Sequence, residues 1–327
     1  MTARGWLLFS LMGVLWGIPY LMIKVAVDGV SPSMVVFTRC ALGAALLLPF
    51  ALRQGGLYRV VRTHWRPMLA FAVIEIIGPW WTLADAERHL SSSTAGLLIA
   101  GVPIVGVVLA RFFGDTERLG ARRFTGLGLG LAGVSILTVP HLTGGDARSL
   151  AEMLVTVIGY ATAPLIVAHY LKPVPTLQLI APCLLLAALV YAPAAALTWP
   201  SEAPSASVLA SLAGLGVICT ALAFVVFLEL IREAGATRAM VFTYVNPAVA
   251  VAAGVTFLDE SLTAAVAVSF ALILAGSFLA TAASGPRRAA RPVAWSTRQT
   301  SRADGRVKSP SGVLPEERPG STGQGDG

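Results

Sequence analysis

A chain of 327 residues that is 56% hydrophobic and 13% charged, with a mean hydropathy of +0.75, is too apolar for a soluble domain, where charged residues make up about a quarter. Lipid must be its solvent. The net charge of +7 would suggest nucleic acid if the basic residues shared a soluble face, but they sit in short connections between apolar runs and in the tail, which excludes nucleic acid and points to membrane orientation.

Apolar runs of about 17 to 25 residues, the length that crosses a bilayer core, fall at roughly 5–27, 32–52, 67–86, 92–112, 122–140, 150–170, 176–198, 207–230, 236–258 and 262–283. None alternates like a barrel strand, and backbone polar groups cannot be left open to lipid, so the runs are expected to be helices. The first is long, carries Trp16, Pro19 and Lys24, and lacks a small-x-small cleavage site, so it reads as a membrane helix and not a signal peptide. Cys40, Cys183 and Cys219 lie inside apolar stretches without C-x-x-C spacing, which indicates neither disulfides nor a metal site.

The connections carry charge alternately. With the N-terminus in the cytoplasm, the inner ones hold Arg53, Arg59, Arg62 and Arg66, then Arg111, Arg118, Arg122 and Arg123, then Lys172, then Arg232 and Arg238. The outer ones hold only Arg88 and Arg148, with Lys24 near an edge. An even helix count returns the C-terminus to the cytoplasm. There, residues 285–327 are rich in Gly, Pro, Ser and Arg, and the sequence predicts a disordered basic tail leaning on anionic membrane lipid.

The segment beginning GVPIVGVVLARFFGDTERLG at Gly101 runs beside VNPAVAVAAGVTFLDESLT at Val245 with a single one-residue gap. Pro103 meets Pro247, Phe113 meets Phe257, Glu117 meets Glu260, Leu119 meets Leu262, and Gly133 meets Gly276. A five-helix unit is odd, so a second copy must enter the membrane in the opposite sense. The arginine-rich connection after Asp115 and the arginine-free one at Asp259-Glu260-Ser261 agree with that inversion. The predicted fold is therefore an all-α polytopic membrane protein of ten transmembrane helices, built as two inverted five-helix repeats at 1–140 and 141–284. Inverted repeats are an architecture of alternating-access carriers.

Trp16-Gly17 with Tyr20 and Lys24, Arg39, the Pro103 to Glu117 segment, and the run TALAFVVFLELIREAGATRAMVFTYVNPAVAVAAGVTFLDESLT from Thr220 resemble the drug/metabolite transporter superfamily, in particular its EamA branch. The resemblance spans residues 5–283, and it implies export of small metabolites or drugs across the cytoplasmic membrane. One departure stands at the start of the second repeat, where Gly159-Tyr160-Ala161 and Pro164 replace the usual Trp-Ala opening.

Candidate site residues follow from cost and spacing. Glu75 lies near the middle of the third run, where an ionisable group costs about 2.5 to 3.5 kcal/mol. It serves either proton or cation binding, or a structural ion pair. Gly78, Pro79 and Thr82 share its face at helical spacing, and that face is expected to line a cavity. Trp16, Tyr20 and Lys24, at i, i+4 and i+8 beside Gly13 and Gly17, form either a substrate-facing stripe or plain packing. Tyr244 and Asn246 are further substrate candidates, with Asn246-Pro247 near the first third of the ninth helix. Pro103 and Pro247 are matched hinges or packing kinks. Arg39, near the outer end of the second helix, is a snorkelling anchor more often than a ligand. Gly126, Gly128, Gly130 and Gly133 allow close helix approach, within one subunit against Ala271 and Ala275 or in a homodimer.

No phosphate-binding G-x-x-x-x-G-K-[ST] occurs, so transport would draw on a gradient, with no cofactor and a small-molecule substrate. Two rivals remain. A channel or non-transporting sensor would lack saturable exchange. A membrane enzyme would need clustered catalytic groups, whereas His64, His89, His141 and His169 are scattered and no H-E-x-x-H or G-x-S-x-G is present.

Overall fold

The structure is a computed structural model that describes residues 2–110, 121–144, 147–234 and 245–281. Arg111, Phe113, Glu117, Arg118, Leu119, Arg238, Tyr244 and the tail lie outside the described residues.

Every described element is helical, as lipid requires of a backbone that can bond only to itself. In chain order they are α1 (Ala3–Gly17), α2 (Pro19–Val27), α3 (Pro32–Arg53), α4 (Leu57–Phe71), a π turn (Ala72–Ile77), α5 (Gly78–Ala86), α6 (Ser92–Ile99), α7 (Val102–Ala110), α8 (Ala121–Gly144) and α9 (Ala147–Tyr170). There follow α10 (Thr176–Leu197), α11 (Ala206–Gly216), a second π turn (Val217–Leu222), α12 (Ala223–Ala234), α13 (Asn246–Phe257) and α14 (Ala264–Thr281). Among the described residues, seven helical stretches are long and apolar enough to cross a membrane: Ala3–Val27, Pro32–Arg53, Leu57–Ala86, Ser92–Leu109, Ala147–Tyr170, Thr176–Leu197 and Ala206–Leu230. Phe124–Ile136, Asn246–Phe257 and Ala264–Leu279 are shorter apolar helices.

Helix starts follow local chemistry. Ser31 caps α3 by accepting from Met34 N–H (3.2 Å), with Pro32 in the first turn, and Ser91 caps α6 by accepting from Thr94 N–H (3.1 Å). The third span begins ten residues before the predicted 67, because α4 is amphipathic. Leu57, Val60, Val61, Met68 and Phe71 face the core, while Arg59, Arg62 and Arg66 are exposed on the helix and do not form a loop. Pro103 and Pro247 each stand second in a helix, α7 and α13. α6 ends at Ile99 and α7 restarts at Val102, which makes the break at Pro103 plain; Pro247 opens a helix and does not sit a third of the way along one.

The helices pair across the two halves of the sequence. α1 lies on α12, α2 on α11, α3 on α10, α5 on α9, α6 on α13 and α8 on α14. The α8–α14 contact brings backbone against backbone: a Cβ on Gly276 would stand 2.7 Å from Gly130 Cα and from the Gly126 carbonyl oxygen. Gly133 likewise meets Leu272 and Ile273. The small counterpart on α14 is thus Gly276, whereas Ala271 and Ala275 are exposed.

Candidate functional site

Two π turns interrupt the helices that carry the polar interior. A π turn holds an extra residue and shifts backbone carbonyls out of register. A hydroxyl meets a carbonyl at each: Tyr191 on α10 donates to the Ile77 carbonyl (2.6 Å), and Thr220, within the second turn, donates to the carbonyl of Leu215 at the end of α11 (2.8 Å). Gly159 packs directly on the Ile74 backbone and on Pro79, where any side chain would collide. That contact accounts for a glycine where the family resemblance leads one to expect otherwise.

Arg39 of α3 is the charge at the centre. Its Nε donates to Thr220 Oγ1 of the second π turn (2.9 Å), and its guanidinium lies 3.7 Å from the ring centroid of Trp80 on α5. It is buried and does not snorkel, because a hydroxyl and an aromatic face take the place of water. Arg39 is also the cation that acts electrostatically on Glu75 and Tyr160. Glu75 sits in the first π turn, half-buried, and among the described residues it makes no hydrogen bond or ion pair. A carboxylate and a guanidinium thus approach one interior region from two helices, each broken or flanked by a wide turn.

The other expected residues go to separate places. Thr82 bonds Thr156 of α9 (2.7 Å), and Thr156 also donates to the Pro79 carbonyl (3.3 Å), so this part of the Glu75 face is joined to α9. Trp16 meets the rings of Phe224 and Phe227 on α12 (centroids 5.7 and 5.3 Å). Tyr20 is buried against Gly96 of α6. Lys24 Nζ donates to the Glu87 carbonyl (2.6 Å). The helix-1 stripe is therefore divided among three neighbours, since α1 and α2 part at Ile18 ahead of Pro19. Asn246 is half-buried, and its buried Oδ1 has no hydrogen-bond partner among the described residues. Tyr244 lies outside the described residues.

Three features escape a reading of the sequence. The Glu260 carboxylate accepts from Ser92 N–H (2.7 Å), Ser92 Oγ (2.9 Å), Ser93 N–H (3.0 Å) and Ser93 Oγ, capping α6 from the α13–α14 connection. Its acidic turn is visible in the sequence, but its remote partners are not. Glu87, just past the span ending at Ala86, is fully buried, and among the described residues neither carboxylate oxygen has a hydrogen-bond partner. Burial pushes its carboxyl well above the usual carboxylate range; the Lys24 charge opposes this and Glu260 adds to it. Asp85, also buried, gathers Arg148 and Arg88.

A bundle of long apolar helices around a charged, hydrogen-bonded interior defines a multi-pass membrane protein. The chain belongs to the EamA-like transporter family, whose model matches twice, over residues 3–139 and 149–282. It is 24% identical over 254 residues to the uncharacterized inner membrane transporter YedA of Escherichia coli (strain K12), covering 76% of this chain and 81% of that one. It is 22% identical over 279 residues to an uncharacterized transporter of Archaeoglobus fulgidus, covering 84% and 98%. In fold it is similar to a solved crystal structure with a TM-score of 0.61 at 20% identity, covering 86% of this chain and 97% of that one.

Proposed function

We propose that the protein is a secondary active carrier, an exporter of small metabolites or drugs across the cytoplasmic membrane, working by alternating access and coupled to protons through Glu75. The observation that carries this reading is the unpartnered Glu75 carboxylate in a π turn, within electrostatic reach of the buried Arg39. A carboxylate without a fixed partner can exchange a proton for a cationic substrate group, and Arg39 supplies the opposing charge that helps release either.

The architecture in this reading is ten helices in two inverted repeats, 1–140 and 141–284, with both termini in the cytoplasm and residues 285–327 as a basic tail. The helix pairing supports it. α3–α10 and α8–α14 each join equivalents, while α1 on α12 mirrors α9 on α5. The two π turns also fall at equivalent places, in the third helix of each repeat.

The test is proton release from the purified protein in liposomes on adding a panel of amino acids, nucleobases and cationic drugs. At least one compound should release protons from the wild type and none from Glu75→Gln. Binding without release, unchanged in the variant, would sink Glu75 as the coupling group.

A further inference from the structure

Two ion clusters at opposite ends of the helices have the same construction. Glu229 on α12 accepts from Arg4 Nη2 in the first turn of α1 (3.0 Å) and from Arg232, three residues on (2.5 Å). Asp85 on α5 accepts from Arg148 Nη2 in the first turn of α9 (2.5 Å) and from Arg88, three residues on (3.4 Å). In sequence, 148 − 4, 229 − 85 and 232 − 88 all equal 144, the displacement that relates Pro103 to Pro247. Each cluster has one further acid beside it: Glu233, which accepts from Thr2 and lies 4.0 Å from Arg4, and Glu152, which pairs with Arg148 (2.8 Å).

The correspondence continues inward. Trp16 and Phe224, in edge contact at 5.7 Å, stand below the first cluster. Their counterparts at the same displacement are Tyr160 and Trp80, which pack in one core cluster below the second. An ionic rim over aromatic residues on the two facing helices therefore occurs twice. The clusters belong to opposite faces. The span Ala3–Val27 leaves the face of Arg4, Pro32–Arg53 returns to it, and Leu57–Ala86 leaves again, so Asp85 ends on the far side.

From this the geometry points to a pair of latches: Arg4–Glu229–Arg232 holds one face of the carrier shut, Arg148–Asp85–Arg88 holds the other, and they open in turn. The proposal rests on the alternating-access reading above. Both latches are closed in this structure. The chemistry suits a reversible contact, because the side chains of Arg4 and Arg148 are 64% and 74% exposed, and water can take over their hydrogen bonds. Burial of Asp85 makes the second latch the tighter of the two, since its acid loses more when left alone.

Reciprocity separates a latch pair from two static staples. Opening one face should close the other more firmly, because both draw on one two-state equilibrium. Amide hydrogen exchange of the full chain in lipid nanodiscs measures this without a substrate. Arg4→Ala should speed exchange in α1 and α12 about two- to fivefold, the factor set by losing one exposed ion pair, and slow it in α5 and the first half of α9. Arg148→Ala should give the mirror image. Arg4→Lys, which keeps the cation facing Glu229 and Glu233, should retain the wild-type pattern, which separates a lost latch from a misfolded protein. Faster exchange confined to the mutated face, with the other face unchanged, overturns the proposal. Reciprocal exchange in a protein that moves no solute would keep the latches and sink the carrier reading; transport with purely local exchange would do the reverse.

Discussion

Among the described acidic residues, Glu87 alone combines full burial with a carboxylate whose two oxygens both lack a hydrogen bond. Its carboxylate is fully buried and has no hydrogen bond among the described residues, and the nearest cation, Lys24, bonds its backbone carbonyl instead. Burial makes it harder to ionise folded than unfolded, so the folded protein holds the proton more tightly. The sign follows by linkage. The stability it allows is fully present below the ordinary carboxylate range and is lost as pH rises through that range toward the raised folded value. Glu87→Gln, which mimics the protonated acid, should therefore melt above the wild type at neutral pH. The difference should close near pH 4, about where an unfolded glutamate takes up its proton. A variant that melts below the wild type at neutral pH would mean that Glu87 is ionised and paired in the folded protein.

Glu75 and Glu87 illustrate what a sequence reveals at this scale. Glu75 announces itself because it interrupts an apolar run, and that cost is readable without coordinates. Glu87 sits in the charged string DAERH and looks like a solvated loop residue; only the packing of neighbouring helices buries it. Arg39 gave the opposite error, since an arginine near a helix end suggests snorkelling until Thr220, 181 residues away, is seen to meet it.

At the scale of elements, the periodicity of apolar residues placed most helix ends within a few positions, and the glycine spacing of α8 marked its contact face. It could not name the partner. Gly126 and Gly130 would serve a homodimer as well as the fold, and the structure seats them on Gly276 of the same chain. Gly276→Ala should accordingly lower stability by about 1 to 3 kcal/mol, the range for overpacking a filled contact, and leave the oligomeric state unchanged by light scattering after size exclusion. Ala271→Leu, on the exposed side of α14, should change stability by less than about 0.5 kcal/mol. A change in oligomeric state with Gly276→Ala would instead put that face between subunits. The π turns at Ala72–Ile77 and Val217–Leu222 were not legible at all, because a widened turn has no residue signature and depends on hydroxyls such as that of Tyr191 arriving from another helix.

For the whole molecule, inversion makes a claim that neither helix length nor apolar character can carry, because a ten-helix chain without inverted repeats would bury the same surface. Equivalent connections of the two halves must open on opposite sides of the membrane. Gln54, between α3 and α4, and Ser201, between α10 and α11, are both exposed and close the second helix of their respective halves. The native cysteines Cys40, Cys183 and Cys219 are buried, so a cysteine added at either connection would be the reactive one. With a membrane-impermeant maleimide, Gln54→Cys should label only in inside-out vesicles and Ser201→Cys only in right-side-out vesicles. The sign is fixed by the arginines of α4 flanking Gln54, set against the acidic Glu202 beside Ser201. If both label from the same side, the halves are not inverted, and the matched latches lose the geometry that lets one close while the other opens. If they label from opposite sides but reversed, the inversion stands and the termini lie outside, which would turn the proposed export into uptake for the same order of steps.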